Sequence, residues 1–93
     1  MVFAKALRSR VQSGEITSTV RIWQRLHVKV GGAYSFESGK IVVESIEEIG
    51  LEEITTEMAV NSGFASVEDL LKTAKHGPGE RVYWIHFRFE EVL

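Results

Sequence analysis

Ninety-three residues, 44% hydrophobic and 26% charged, make one foldable domain spanning 1–93, and no apolar run approaches the ~18 residues of a membrane span, so no membrane partner is expected. The absence of cysteine excludes disulfides, thiolate zinc sites and thiol nucleophiles and fits a reducing, cytoplasmic setting. The net charge of −2 hides a split, because residues 1–40 carry seven Lys and Arg against two acids and residues 41–93 carry four against eleven. Such a split points to a molecule with one basic surface, although solvated acids on helices give the same arithmetic.

The opening MVFAKALRSRVQSG lacks the apolar centre and cleavage site of a signal peptide. Basic and amphipathic, it also fits a mitochondrial address, but it reads more simply as a first helix. Phe3, Leu7 and Val11 fall at i, i+4 and i+8 beside Ala4, Lys5 and Arg8 share a flank with Gln12, and Gly14 ends the run. Residues 20–30 read as a strand. Val20, Ile22, Leu26 and Val28 would point one way, and Arg21, Trp23, Arg25, His27 and Lys29 the other. Gly31-Gly32 signals a turn, Tyr34–Phe36 a short strand, Ser38-Gly39 a tight turn, and Lys40–Ile46 the returning strand of a hairpin.

Thr55 is placed to cap a helix from Thr56 to Ser62, which Gly63 stops. Ser66 opens the next helix, with Glu68 and Asp69 in its first turn, Leu70, Leu71 and Ala74 turned inward, and Lys72, Lys75 and His76 near its end. Gly77-Pro78-Gly79 breaks it. Arg81–Phe89 is the clearest strand, with Tyr83, Ile85, Phe87 and Phe89 on one face and Val82, Trp84, His86 and Arg88 on the other. A helical insertion that splits the strands, with the last rejoining the first group, predicts an α+β fold, a small closed or half-open β-barrel.

Catalytic signals are sparse. Thr17, Ser18 and Thr19 cluster without a base at fixed spacing, His27, His76 and His86 are scattered, and only His86 or Glu57 could serve as a substitute base. No histidine pair has metal-ligand spacing and the glycines form no phosphate loop, so no metal or cofactor is expected. Nucleic-acid binding has more in its favour. Lys5, Arg8, Arg21, Arg25 and Lys29 are phosphate neutralisers, and Trp23 among them is a ring on which a base can stack. The competing structural reading makes Trp23 a core residue and pairs the arginines with the acidic half.

Leu7, then Val11-Gln12-Ser13-Gly14, then Thr17, Thr19, Val20 and Arg21 resemble the opening signature of the ASCH domain family. Ile54-Thr55-Thr56-Glu57 with Ala59, Gly63-Phe64 and Ser66-Val67-Glu68-Asp69-Leu70 resemble its paired helices, and Val82-Tyr83-Trp84-Ile85-His86-Phe87 its closing strand. The resemblance implies a PUA-like fold, with an N-terminal helix, a small barrel and two short helices before the last strand. It also implies binding of RNA, single-stranded or structured, or of a nucleotide-like ligand in a cleft between first helix and barrel. On it, Thr17, Thr19 and Arg21 would line the cleft, Lys5, Arg8 and Trp23 would stand at its rim with Arg25 nearby, and Trp23 or Tyr34 would stack.

Some members of the family are hydrolases acting on RNA or on N4-acetylcytidine. Their signature Lys is Ile16 here, their helical Glu falls near Ser62 or Gly63, and their Gly-Asp turn is Gly31-Gly32. These departures favour noncatalytic binding over a hydrolase. A protein-interaction module is the remaining alternative, and it requires Trp23 and Trp84 to be exposed in an apolar patch.

Overall fold

The last strand in the sequence lies inside the sheet and is buried from both sides. A computed structural model describes residues 3–74 and 80–92. Four strands, β1 (Ser18–Trp23), β2 (Ala33–Phe36), β3 (Gly39–Ile49) and β4 (Arg81–Glu91), form one antiparallel sheet in the order β1-β4-β3-β2. A 3-10 turn, Lys5–Leu7, leads into α1 (Arg8–Gln12), while α2 (Thr56–Asn61) and α3 (Val67–Ala74) lie between β3 and β4. The fold is therefore α+β, with the last strand joining the first as expected. β1 and β2 are the edges of the sheet, and among the described residues no ladder joins them.

The register sorts the side chains onto two faces. Thr19, Arg21 and Trp23 stand opposite Ile85, Tyr83 and Arg81 on what we term the front face; Ser18, Val20 and Ile22 stand opposite His86, Trp84 and Val82 on the back. On the back, Val20, Ile22 and Val82 pack with Ile54, Ala59, Leu70 and Ala74, so α2 and α3 roof this side. On the front, Phe3, Leu7, Val11 and Ile16 pack on Phe36, Ile41 and Phe87, while Trp23, Val28, Val43, Tyr83 and Ile85 form a second cluster. A bulge at Glu44, between Val43 and Ser45, shifts the parity of β3. Val43 and Ile46, three residues apart, thus both serve the front cluster.

Several expectations change in detail. The first helix is a 3-10 turn followed by five α-helical residues. The strand expected over residues 20–30 begins earlier, at Ser18, and ends at Trp23. Beyond it the chain leaves the sheet, and Leu26 is exposed instead of sharing the apolar face. The hairpin turn is Glu37–Ser38, with Gly39 already in β3, which runs on to Ile49. Val82 and Trp84 are not on an open face, because the helices cover them.

The caps form as the sequence implied. The Thr55 hydroxyl accepts from the Met58 N–H at 3.1 Å, and the Ser66 hydroxyl from the Asp69 N–H at 3.2 Å. The expected break at Gly77-Pro78-Gly79, and Lys75 and His76 before it, lie outside the described residues. Among the described residues no helix is long and apolar enough to cross a membrane.

Gly63 ties the two helical layers together. Its φ is +94°, and a Cβ there would stand 2.7 Å from Leu7 Cδ2 and 2.8 Å from Ile16 Cδ1. Both the left-handed backbone and the contact exclude a side chain. Gly63→Ala is expected to destabilise by about 2–4 kcal/mol, combining backbone strain with overpacking, read as a lower urea midpoint. The neighbouring Ser62 is buried with no hydrogen-bond partner for Oγ. Ser62→Ala should leave the urea midpoint unchanged or raise it, since it removes an unsatisfied polar atom.

Candidate anion-binding site on the front face

Arg21 projects from the middle of edge strand β1 onto the front face. Its Nε donates to Thr19 Oγ1 at 3.1 Å, two residues earlier on the same face. Its guanidinium carbon lies 4.8 Å from the centroid of the Phe3 ring. Phe3 is in turn held by Phe36 and Phe87, at ring-centroid distances of 5.4 and 5.5 Å. The N-terminal segment therefore supplies an aromatic wall, and β1 lays a cation against it.

What distinguishes Arg21 is partial burial without a counter-charge. Arg8 pairs with Glu37 at 3.7 Å, Arg10 with Glu15, Lys40 with Glu90 at 3.6 Å, and Arg88 with Glu90 and Glu44 at 2.7 and 3.4 Å. Among the described residues no carboxylate comes within 4 Å of Arg21, although it is partly buried. Burial without compensation pulls its pKa down to about 10. Arg88 goes the opposite way, raised first by its hydrogen bond to Glu90. Among the described residues the Arg21 Nη groups have no hydrogen-bond acceptor, which leaves N–H donors in a partly dry setting where an anion is held strongly.

The other expected residues fall into distinct groups. Thr19 belongs to the site, but it is only 5% exposed and its hydroxyl oxygen accepts from Arg21. Thr17 is exposed just before β1, and its carbonyl accepts from the Phe87 N–H at 2.9 Å. Lys5, two residues beyond Phe3, is exposed and has no carboxylate partner among the described residues. Arg8 is drawn away to the β2–β3 turn. Its Nε donates to the Phe3 carbonyl at 3.2 Å, and its guanidinium faces Glu37.

Arg25 is exposed in the bend after β1 and, among the described residues, has no ion-pair partner. Trp23 is only 8% exposed and packs with Val28, Val43 and Ile85. Its ring is a wall of the core. Tyr34 leans on the same cluster, and its hydroxyl accepts from the Lys29 N–H at 3.0 Å.

The structure also brings in Phe3, which the sequence marked only as a core position, and separates the residues considered for catalysis. Ile16 is 1% exposed between the N-terminal helix and Gly63, a position with no room for a solvated ammonium. His86 stands opposite Ser18 on the back face, across the sheet from Arg21. Glu57 is exposed in the first turn of α2, and His76 lies outside the described residues. Trp84 is partly buried under the helices, so the two tryptophans do not form an exposed apolar patch.

Comparison with protein-family models, curated proteins and solved structures returns no match for this chain.

The site is held at a cost in stability. The folded state disfavours the charged guanidinium, so the cost is complete below about pH 10 and is recovered as the pH rises from there toward the ordinary guanidinium range. Arg21→Met should therefore raise stability by about 1 kcal/mol at pH 7, the relief of burial outweighing the lost Phe3 contact. Added phosphate should raise the Tm of the wild type but not that of the Met variant. A Met variant less stable than the wild type would count against an uncompensated charge.

Proposed function

We propose that this chain is a noncatalytic RNA- or nucleotide-binding protein, and that Arg21 receives a phosphate of the ligand where β1 meets the N-terminal segment. The observation that carries the reading is a partly buried guanidinium with free Nη groups and no carboxylate within ion-pair distance among the described residues. Thr19 adds a hydroxyl beside it and orients the guanidinium, and the exposed Thr17 offers another hydroxyl just before β1. Lys5, Arg25 and Lys29 add exposed positive charge around the same face, and among the described residues none is neutralised by an acid.

The resemblance to ASCH domains supports the same assignment, because Thr17, Thr19 and Arg21 are the residues that match its signature. We read the fold as PUA-like on the element order: N-terminal helix, strands, two short helices, then a last strand inserted beside the first. The N-terminal segment spans the open side of the sheet, from Ile16 beside β1 to Phe36 on β2. Hydrolysis has weaker support. Among the described residues, the positions matching the hydrolases' Lys and Glu are Ile16, which is apolar, and Ser62, which is sealed; His86 is on the other face, and His27, the imidazole on the front, has no carboxylate partner to orient it.

Fluorescence anisotropy with a short single-stranded RNA tests the reading. The wild type should bind at low salt. Arg21→Ala with Arg25→Ala should weaken binding at least about tenfold and flatten the salt dependence by ~0.7 in log–log slope for each lost phosphate contact. A wild-type protein that binds no RNA at low salt sinks the proposal.

A further inference from the structure

His27 lies flat against Trp23, with ring centroids 4.4 Å apart and planes within 6°. The Trp23 ring is buried from its other neighbours and meets Tyr83 at 6.1 Å and 43°, so His27 covers it while remaining exposed itself. The loop is fixed just beyond this ring. Val28 is buried in the front cluster, the Lys29 N–H donates to the Tyr34 hydroxyl at 3.0 Å, and the Gly31 N–H donates to the Val43 carbonyl at 2.8 Å. An exposed planar ring is thereby held in one orientation before any ligand arrives, which removes part of the ordering cost of binding.

We infer that the outer face of the His27 imidazole is a stacking platform for one nucleobase of a single strand. This deepens the RNA-binding reading and rests on it. Arg21 and Trp23 are alternate residues on the same face of β1, about 7 Å apart along the strand, and the Arg21 guanidinium leans from there toward Thr19 and Phe3, so the platform and the phosphate site lie in one line along β1. Arg25 and Lys29 bracket His27 in sequence. Both are exposed, and among the described residues neither has a carboxylate partner. A base on His27 would thus be flanked by cations on the side where its phosphates must run.

The other aromatic candidates are already engaged. Trp23 lies beneath His27, and Tyr34 has its hydroxyl bonded to Lys29 and its ring against Gly32, where a Cβ would meet it at 2.9 Å. His86 meets Trp84 at a 57° tilt rather than flat. It lies on the back face, across the sheet from Arg21.

The test compares two probes of equal length, a single-stranded oligoribonucleotide and its abasic counterpart. His27→Ala should weaken binding of the base-bearing strand about tenfold and leave the abasic strand unchanged, and His27→Phe should restore the loss. The His27 ring protons should move upfield in the NMR spectrum when the base-bearing strand is added. If the wild type binds the RNA and His27→Ala binds it equally well, or if both strands weaken together, the platform is overturned while the Arg21 site stands. If the wild type binds neither strand at low salt, the RNA-binding reading falls and the platform with it.

Discussion

The burial of β4 on both faces is the constraint from which the rest of this domain follows. A chain of this length has little core to spare, and a sheet with one open face would leave Tyr83, Ile85 and Phe87 or Val82 and Trp84 in water. The helices between β3 and β4 cover the back. The front is covered by two segments without regular strand structure, the N-terminal residues and the loop after β1. Phe3 does most of this at one end, touching Phe36 and Phe87 and leaving its remaining face for Arg21. The loop does it at the other, through Val28 and the stack of His27 on Trp23.

This division of labour generates the candidate site. The two front covers meet the sheet on either side of Arg21, so the guanidinium is sheltered without being closed off. Arg8, Lys40 and Arg88 find carboxylates, and such exposed pairs contribute little to stability. Arg21 has an aromatic ring and a hydroxyl instead, neither of which neutralises it. A folded chain rarely keeps a half-buried, uncompensated charge without a use for it, because desolvation works against the fold. The site is thus a place where stability and binding pull in opposite directions.

The two positions that the resemblance to ASCH hydrolases would fill with a Lys and a Glu are apolar or sealed: Ile16 fills the joint between the N-terminal helix and Gly63, and Ser62 is buried beside that glycine. The titratable His86 is on the opposite side of the sheet. The front face presents the Arg21 guanidinium, the Thr19 hydroxyl and the His27 ring, with Glu48 opposite Tyr83 farther across the sheet.

By itself the sequence determined the elements and their caps. Thr55 and Ser66 start helices because their hydroxyls accept from N–H groups with no intrahelical partner, and alternation along Arg81–Phe89 marks a strand because successive side chains point to opposite faces. It also marked Thr17, Thr19 and Arg21 as a group. It could not say which of two alternating faces would be covered, since both faces of β1 and β4 are. Trp23 could be read as a stacking ring or as a core residue, and contacts with Val28 and Val43 decide for the core. Nor could it show that Arg8 would find Glu37 while Arg21 would lie on Phe3 with no carboxylate among the described residues, pairings set by segments far apart in the chain. The bulge at Glu44 was equally hidden, because a single inserted residue changes the parity of β3 without changing its composition. Local chemistry wrote the strands and helices; only the packing of the N-terminal segment and the loop on the front face decided which cation was left unpaired and which ring was left exposed.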